Sequence, residues 1–546
     1  MILRPVGPPR ASDSLRATGE SAAAASGEHE LLLATGSIAQ QGTLALSTLT
    51  MLVVFTALAR TLSTSALGVY GLLLSIPAYL VVAQSSVETA AIKAIAEARD
   101  ARERDRAFTT AFAIYAGFGL IAGLAIVFGG SALLGVFDIP AQLHHDARLG
   151  LIALGVLNVA GWPAKTFQDV LRANKHFVEA AAAEAAAYLI FGAAMAAALV
   201  EGEPLWLIAG LGGAIPLLIG ILAAVTLVRV RTGIRLRAST LSAAYSRAFL
   251  STSAYLLVSG IADLVVYALD RTVLAAFRPV AAVGLYEGPV RARNLARQLQ
   301  GTLGLTTMPA AAAYLAAGDQ QRLRELLVRG TRYVVIIMTP LTVTLIALAS
   351  PILTVWLGHR YATAAPAMSI LVGYWLLGSA TAVGGATLIA CGRARTVAAV
   401  ATAVAGLNLA LALALTPPFG LVGIAVATTA SSAVAVPVLL RIVCTVSEVP
   451  ARELVREAFL PALVAGACLA SVYGALALAL PLDRPAMLVA TVAAGLAVYG
   501  IVAYAAFMRP NERLLIRTVL RAGCSRLSFG LVARNAPDDP PARSTR

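Results

Sequence analysis

The residues with chemical potential in this sequence are charges set inside apolar stretches, and the densest set runs from Glu287 to Gln298. Glu287, Arg291, Asn294 and Gln298 recur at i, i+4, i+7 and i+11, one stripe of a helix, with Arg293 and Arg297 on the neighbouring stripe. A guanidinium presents planar, paired donors that match phosphate and carboxylate oxygens. Three arginines within two turns are hard to hold against hydrocarbon, so they are expected to face an interior where acidic side chains or an anionic ligand meet them. A later start of this helix would instead leave them at the membrane surface.

Other charges fall in the preceding segments. Asp263 and Asp270 stand two turns apart on one helix face, and Arg271 follows directly. Two readings are open there: Asp270 with Arg271 as a structural ion pair, or acids that titrate in a cavity and couple to an ion. Lys165 and Asp169 are spaced to satisfy each other at i, i+4, with Trp162 and Pro163 marking a kink. Glu179 and Glu184 follow, the first near the headgroups. Gln40, Gln41, Thr43, Ser47, Thr48 and Thr50 give the first apolar segment a polar face suited to helix packing or to lining a cavity.

Catalytic patterns are absent. The chain has no GxSxG, HExxH, Walker A or dinucleotide glycine fingerprint, so neither an enzyme, a bound cofactor nor an intrinsic ATP motor is expected. The histidine pair His144 and His145 lacks acidic or cysteine partners at ligand spacing, and no metal site is expected. The four cysteines are scattered without disulfide or metal spacing.

The elements that must position these charges are membrane spans. Of 546 residues, 59% are hydrophobic and 13% charged, about half the charged share of a soluble domain. At about 20 apolar residues per span, runs near 36 to 58, 66 to 91, 108 to 135, 149 to 171, 178 to 200 and 205 to 228 predict six helices. Runs near 251 to 277, 282 to 306, 333 to 357, 363 to 390, 396 to 415 and 420 to 442 predict six more, and 457 to 480 and 486 to 507 bring the total to about fourteen. The expected class is an all-α polytopic membrane protein. Its parts are a disordered cytoplasmic tail at 1 to 35, an N-terminal six-helix bundle at 36 to 228, a linker at 229 to 250 and a second bundle at 251 to 442. Two additional helices at 457 to 507 and a basic tail at 508 to 546 complete it. The tail from Asn511 to Phe529 suits either a helix lying on the membrane surface or a simple basic extension.

The net charge of +14 does not point to nucleic acid, because the basic residues sit in alternate gaps between spans. One set of gaps carries Lys93, Arg99, Arg102, Arg104 and Arg106, then Arg172 and Lys175, then Arg229 to Arg247, Arg322 to Arg332, Arg393 and Arg395, and Arg452 and Arg456. The opposite set has single residues such as Arg60, Arg278, Arg360 and Arg484. This bias places both termini in the cytoplasm. An internal repeat is also visible: Ala66-Leu67-Gly68-Val69-Tyr70 opens the second span and Ala282-Val283-Gly284-Leu285-Tyr286 opens the eighth. Leu171 to Lys175 is echoed at nearly the same offset by Ile389 to Arg393. Repeats of six spans share one orientation and are related by an axis along the membrane normal, with a path between them.

Several stretches resemble one family. They are Ala59-Arg60-Thr61-Leu62 with Leu67-Gly68-Val69-Tyr70, Leu269-Asp270-Arg271 with Val283-Gly284-Leu285-Tyr286, and Trp356-Leu357-Gly358 with Tyr361, Ala364 and Pro366. Ala390-Cys391-Gly392-Arg393-Ala394-Arg395, Leu407-Asn408-Leu409 and Pro418-Phe419-Gly420-Leu421-Val422-Gly423-Ile424-Ala425 continue the pattern. The chain resembles the polysaccharide transporter branch of the multidrug/oligosaccharidyl-lipid/polysaccharide exporter superfamily, which includes flippases of lipid-linked oligosaccharides. The resemblance implies a MATE-like arrangement of two six-helix bundles around a cavity, working by alternating access in the bacterial cytoplasmic membrane. It implies a polyprenyl-pyrophosphate-linked glycan as substrate, with a polysaccharide polymerase as a possible partner, and Asp270 matches the family's acidic position in span 7.

On this basis Arg271, Arg291, Arg293, Arg297, Asn294, Gln298, Lys165, Gln40 and Gln41 are expected to bind substrate, and Asp270, Glu287 and Asp263 to couple transport to a gradient of H+ or Na+ or to the membrane potential. A multidrug or organic-cation antiporter, which wants an acidic and aromatic cavity, and a lipid II flippase are the competing readings. A membrane-embedded glycosyltransferase would need longer loops to carry its carboxylates.

Overall fold

The computed structural model describes residues 11–241, 246–247, 249, 264, 266, 268–305, 307–379 and 381–507. Among these residues every regular element is a helix. The protein is an all-α polytopic membrane protein, as its composition predicts.

In chain order the helices are α1 (Ala11–Thr61), α2 (Thr64–Ala96), α3 (Ala101–Leu124), α4 (Gly130–Leu134), α5 (Ala141–Ala173), α6 (Phe177–Glu201), α7 (Leu205–Gly213) and α8 (Ile215–Val230). They continue as α9 (Asp270–Phe277), α10 (Val280–Leu305), α11 (Thr307–Ala316), α12 (Gln320–Ala347), α13 (Ala349–Leu357), α14 (Ala365–Gly373), α15 (Trp375–Gly378) and α16 (Thr381–Ala390). The last are α17 (Ala394–Val446), α18 (Ala451–Leu454), α19 (Leu460–Ala479) and α20 (Pro485–Val502). Caps mark several boundaries. Ser63 accepts from the amide of Ala66, and Asp100 accepts from that of Glu103 while the Glu103 carboxylate reaches back to the amide of Arg99.

Among the described residues ten helices are long and apolar enough to cross a membrane, or eleven when the pair α7 and α8, bent by 45°, counts as one span. The expected fourteen is therefore not confirmed, and the reasons are physical. The charges Glu287, Arg291, Arg293 and Arg297 make α10 too polar to be recognised as a span, and most of 251 to 277 lies outside the described residues. The 53-residue α17 counts once although its backbone breaks at Gly420 (φ 55°, ψ −125°), just after Pro417 and Pro418.

Two compact units are distinguishable. The first holds the described residues up to Arg293, with Leu353–Leu371 and Arg395–Ala435. Within it α5 is central, packed on α2, α3, α7 and α8. Gly123 and Gly155 let α3 and α5 touch backbone to backbone, since a methyl on Gly123 would lie 2.7 Å from the Gly155 carbonyl oxygen. Small residues are how membrane helices approach when burial of apolar surface offers no drive. The second unit holds Asn294–Ile352, Val372–Ala394 and the described residues from Val436 onward. There α19 packs on α12 and α20, with Thr344 and Tyr473 sharing a 2.9 Å hydrogen bond and Tyr499 donating to the Ile336 carbonyl at 2.7 Å.

Candidate functional site

In the first unit α9 and α10 bring two carboxylates against three guanidinium groups. Asp270 and Glu287 are each 2% exposed. Arg293 Nη1 donates to Asp270 Oδ2 at 2.7 Å, Tyr286 Oη donates to the same oxygen at 3.1 Å, and Thr428 Oγ1 donates to Oδ1 at 3.3 Å. Asn408 Nδ2 lies 3.3 Å from both Thr428 Oγ1 and Ser431 Oγ, extending this polar network into α17. Arg271 forks onto Glu287, its Nε to Oε1 and its Nη2 to Oε2 at 3.3 Å.

Asp270 and Arg271, adjacent in sequence and with a mutual ion pair as one of the two readings open to them, thus each take a partner from α10. A helix presents consecutive residues about 100° apart, so neighbours rarely face one partner. Room for Glu287 comes from Gly71 of α2, where a methyl group would stand 2.6 Å from Oε1.

Arg291 differs from the other two arginines. Its Nε stands 3.8 Å from Glu287 Oε2, beyond hydrogen-bond range, and its guanidinium lies over the Phe55 ring at 5.0 Å. Its side chain keeps 30% exposure, against 2% for Arg293. The five groups carry one positive charge in excess, and Arg291 is where that charge remains accessible.

A second charged cluster forms around α5. Glu88 of α2 accepts from Lys165 and from Arg172 Nη1 at 2.5 Å, while Arg172 Nη2 reaches Glu184 of α6 at 3.1 Å. Gln168 Nε2 donates to the same Glu184 oxygen at 2.9 Å. Lys165 is therefore paired with Glu88, not with Asp169 as the i, i+4 spacing suggested. Asp169 instead accepts from Tyr115 Oη of α3 at 3.0 Å. Glu88 escaped the sequence reading because a lone acid near the predicted end of a span looks like a headgroup residue. Tyr115 and Thr428 carried no signal beyond polarity, whereas Asn408 stands inside the Leu407-Asn408-Leu409 motif.

The remaining candidates fall elsewhere. Asn294 and Gln298 are half-buried and Arg297 exposed on the continuation of α10 in the second unit. Gln40 and Gln41 are exposed on α1. Asp263 lies outside the described residues. A cavity of about 570 Å³ in the second unit is lined by Thr307, Tyr314, Arg322, Glu325, Arg329 and Tyr333. Its arginines are engaged, Arg322 with Asp319 at 3.1 Å and Arg329 with Glu325 at 3.3 Å. No group of histidine, cysteine and acidic side chains able to hold a metal ion occurs among the described residues.

Apolar helices enclosing clustered charges make this a polytopic helical membrane protein with a charged interior. The family described as "Polysaccharide biosynthesis protein" matches residues 40–314, half of the chain, and the chain belongs to it. Among individual proteins, "Uncharacterized membrane protein EpsK" of Bacillus subtilis (strain 168) is 24% identical over 325 residues, 58% of this chain and 63% of that protein's length. The fold is similar to that of "Lipid II flippase MurJ, inward closed conformation", with a TM-score of 0.67 at 15% identity, covering 86% of this chain and 98% of the other. An inward-facing multidrug resistance MATE family transporter of the MOP superfamily gives 0.59 at 14% identity, covering 74% and 94%.

Proposed function

We propose that this protein carries a polyprenyl-pyrophosphate-linked oligosaccharide from the inner to the outer leaflet of the bacterial cytoplasmic membrane, for assembly of surface polysaccharide. A glycan and a pyrophosphate cannot cross hydrocarbon unaided, whereas the lipid tail prefers to stay there. A protein that alternates between inward and outward states with a charged interior meets both demands. The basic loops face the cytoplasm together with both termini, and a polysaccharide polymerase is the natural acceptor of the delivered unit.

The observation that carries this reading is the surplus guanidinium at Arg291, held in place by Phe55 and only loosely matched by Glu287. A pyrophosphate is the complementary ligand. Arg271 and Arg293 are tied to carboxylates and hold the cluster together, and Arg297, Asn294 and Gln298 extend the polar stripe along α10. An organic cation would be repelled by this balance, which disfavours the multidrug reading. Lipid II has the same headgroup chemistry, and likeness to a lipid II flippase fold keeps that substrate in view.

The test is leaflet exchange of fluorescent polyprenyl-pyrophosphate oligosaccharide in proteoliposomes, with labelled lipid II in parallel. Exchange of the first that is lost in an Arg291→Ala and Arg297→Ala double variant supports the assignment. Full exchange by that variant at equal protein level removes the arginines from the site. Exchange of lipid II alone moves the substrate to peptidoglycan precursors.

A further inference from the structure

The cluster around α5 carries the opposite imbalance to the one around α10. Glu88, Asp169 and Glu184 supply three carboxylates, and Lys165 and Arg172 two cations. Both cations are committed, Lys165 to Glu88 and Arg172 to Glu88 and Glu184. Asp169 is left with the Tyr115 hydroxyl on Oδ2, and its Oδ1 has no hydrogen-bond partner among the described residues. The side chain is fully buried, at 0% exposure.

Burial with a single neutral donor is the largest cost of an ionised Asp169; Lys165 and Arg172 attract it and Glu88 repels it, but no cation is bonded to it, and such a carboxylate is among the costliest groups a membrane helix can hold. Among the other elements packed on α5, α3 carries Arg102, Glu103, Arg104, Asp105 and Arg106 in its first turns, Asp105 pairing with Arg237, and none of these is bonded to Asp169. The α7 helix and the segment Ala125–Leu134 bear no ionisable residue, and α8 bears only Arg229 in its last turn. Lys165, Arg172, Glu88, Glu184 and Tyr115 are thus the ionisable groups that face it.

We infer that Asp169 is a proton-binding site, and that the proton it holds in this conformation is the coupling ion of transport. One proton brings the five charged side chains to neutrality, and Asp169 is the acid without a cationic partner. A metal cation does not fit: hard cations take roughly six oxygen ligands, and here one carboxylate and one tyrosine converge while the Thr166 hydroxyl is bonded to the Pro163 carbonyl. Asp169 lies one turn before the end of α5 at Ala173, the end that the basic residues Arg172 and Lys175 assign to the cytoplasm. Loss of the proton leaves a carboxylate at Asp169 with no bonded cation, which favours separation of α3 from α5 and entry of water from that side. The role in transport rests on the flippase reading, whereas the site itself does not.

Infrared difference spectra of the purified full-length protein, stepped from acid to alkaline pH, read the site without any substrate. The expected result is a buried carboxylic acid carbonyl band that titrates and is missing in Asp169→Asn. A band that persists in that variant, or no titrating band in the unaltered protein, overturns the proposal. Tyr115→Phe gives a second reading if Asp169→Asn folds poorly. The hydroxyl donates to the ionised form, so its removal should move the midpoint to higher pH, and an unmoved midpoint contradicts the assignment. In the leaflet-exchange assay an imposed pH gradient should accelerate the unaltered protein and leave Asp169→Asn unchanged, and equal acceleration of both removes the coupling role. A titrating band in a protein that exchanges no lipid leaves the proton site standing and sinks the flippase reading.

Discussion

Gly68 and Gly284 press the first turns of α2 and α10 together backbone to backbone. A methyl on Gly68 would overlap the Val280 carbonyl and lie 3.0 Å from the Gly284 amide nitrogen; one on Gly284 would overlap the Thr64 carbonyl and lie 3.1 Å from the Gly68 nitrogen. The contact is reciprocal because the two glycines are equivalent positions of the Ala66–Tyr70 and Ala282–Tyr286 repeat, and Thr64 and Val280 are equivalent two residues before it. Glu287 obeys the same relation, filling the space left by its equivalent, Gly71. The two contacts are thus related locally by a pseudo-twofold between the glycines.

Gly68→Ala and Gly284→Ala are each expected to cost about 1–3 kcal/mol, the range for overpacking a close contact. The double variant should cost less than the sum, since one separation of α2 from α10 relieves both clashes. Thermal unfolding of the detergent-solubilised protein measures this, and strictly additive losses would contradict a shared contact.

Asp270→Asn or Arg293→Ala alone should destabilise by about 3–5 kcal/mol, because each leaves a buried charge unmatched. Asp270→Asn combined with Arg293→Gln should recover much of the loss. Unfolding midpoints for the four proteins settle the matter, and a double variant as weak as the summed singles would show that the pair is not the unit of stability.

Arg291→Ala should behave differently, leaving the unfolding midpoint nearly unchanged while slowing leaflet exchange about tenfold or more. One hydrogen bond to a charged group is worth roughly 1.5–3 kcal/mol, enough for that loss. Arg291→Lys should restore the charge but only part of the rate, since an ammonium lacks the paired donors. Initial rates at fixed protein density decide it, and a variant as fast as the unaltered protein would rule out Arg291 as a headgroup contact.

The all-helical class, the repeat and the cationic stripe of α10 were legible because hydropathy and helical periodicity are local properties of sequence. Partner choice was not. Lys165 with Asp169 is a good pair by spacing and Asp270 with Arg271 only by adjacency, yet Lys165 reaches Glu88 at a separation of 77 residues and Arg293 reaches Asp270 at 23. Those pairings depend on how α2 lies against α5 and α9 against α10, which single-helix periodicity does not contain. Gln40 and Gln41 belong to a polar face of α1 that suits helix packing or a cavity lining, and polarity alone does not choose between the two.

Near the same end as the glycine pair, two arginines exchange contacts across the chain. Arg60, in the last turn of α1, donates to the carbonyls of Val355 at 2.7 Å and Trp356 at 3.0 Å, and Arg360 donates to those of Ala59 and, at 2.8 Å, Leu62. Each cation thus satisfies carbonyls that a helix end leaves unpaired, where the helix dipole also favours positive charge. Trp356 Nε1 donates to Thr56 Oγ1 at 2.7 Å, and its ring meets Phe55 edge-on at 5.7 Å, so the strap continues to the residue under Arg291. Removing either arginine frees the other end only in part, because the reciprocal bonds remain. Arg60→Ala with Arg360→Ala should therefore loosen this end more than the two single losses predict. Reaction of a cysteine placed at Leu62 with a membrane-impermeant thiol reagent reads that opening. The double variant should react several-fold faster than either single variant, and equal rates in all three would show that the arginines do not hold this end closed.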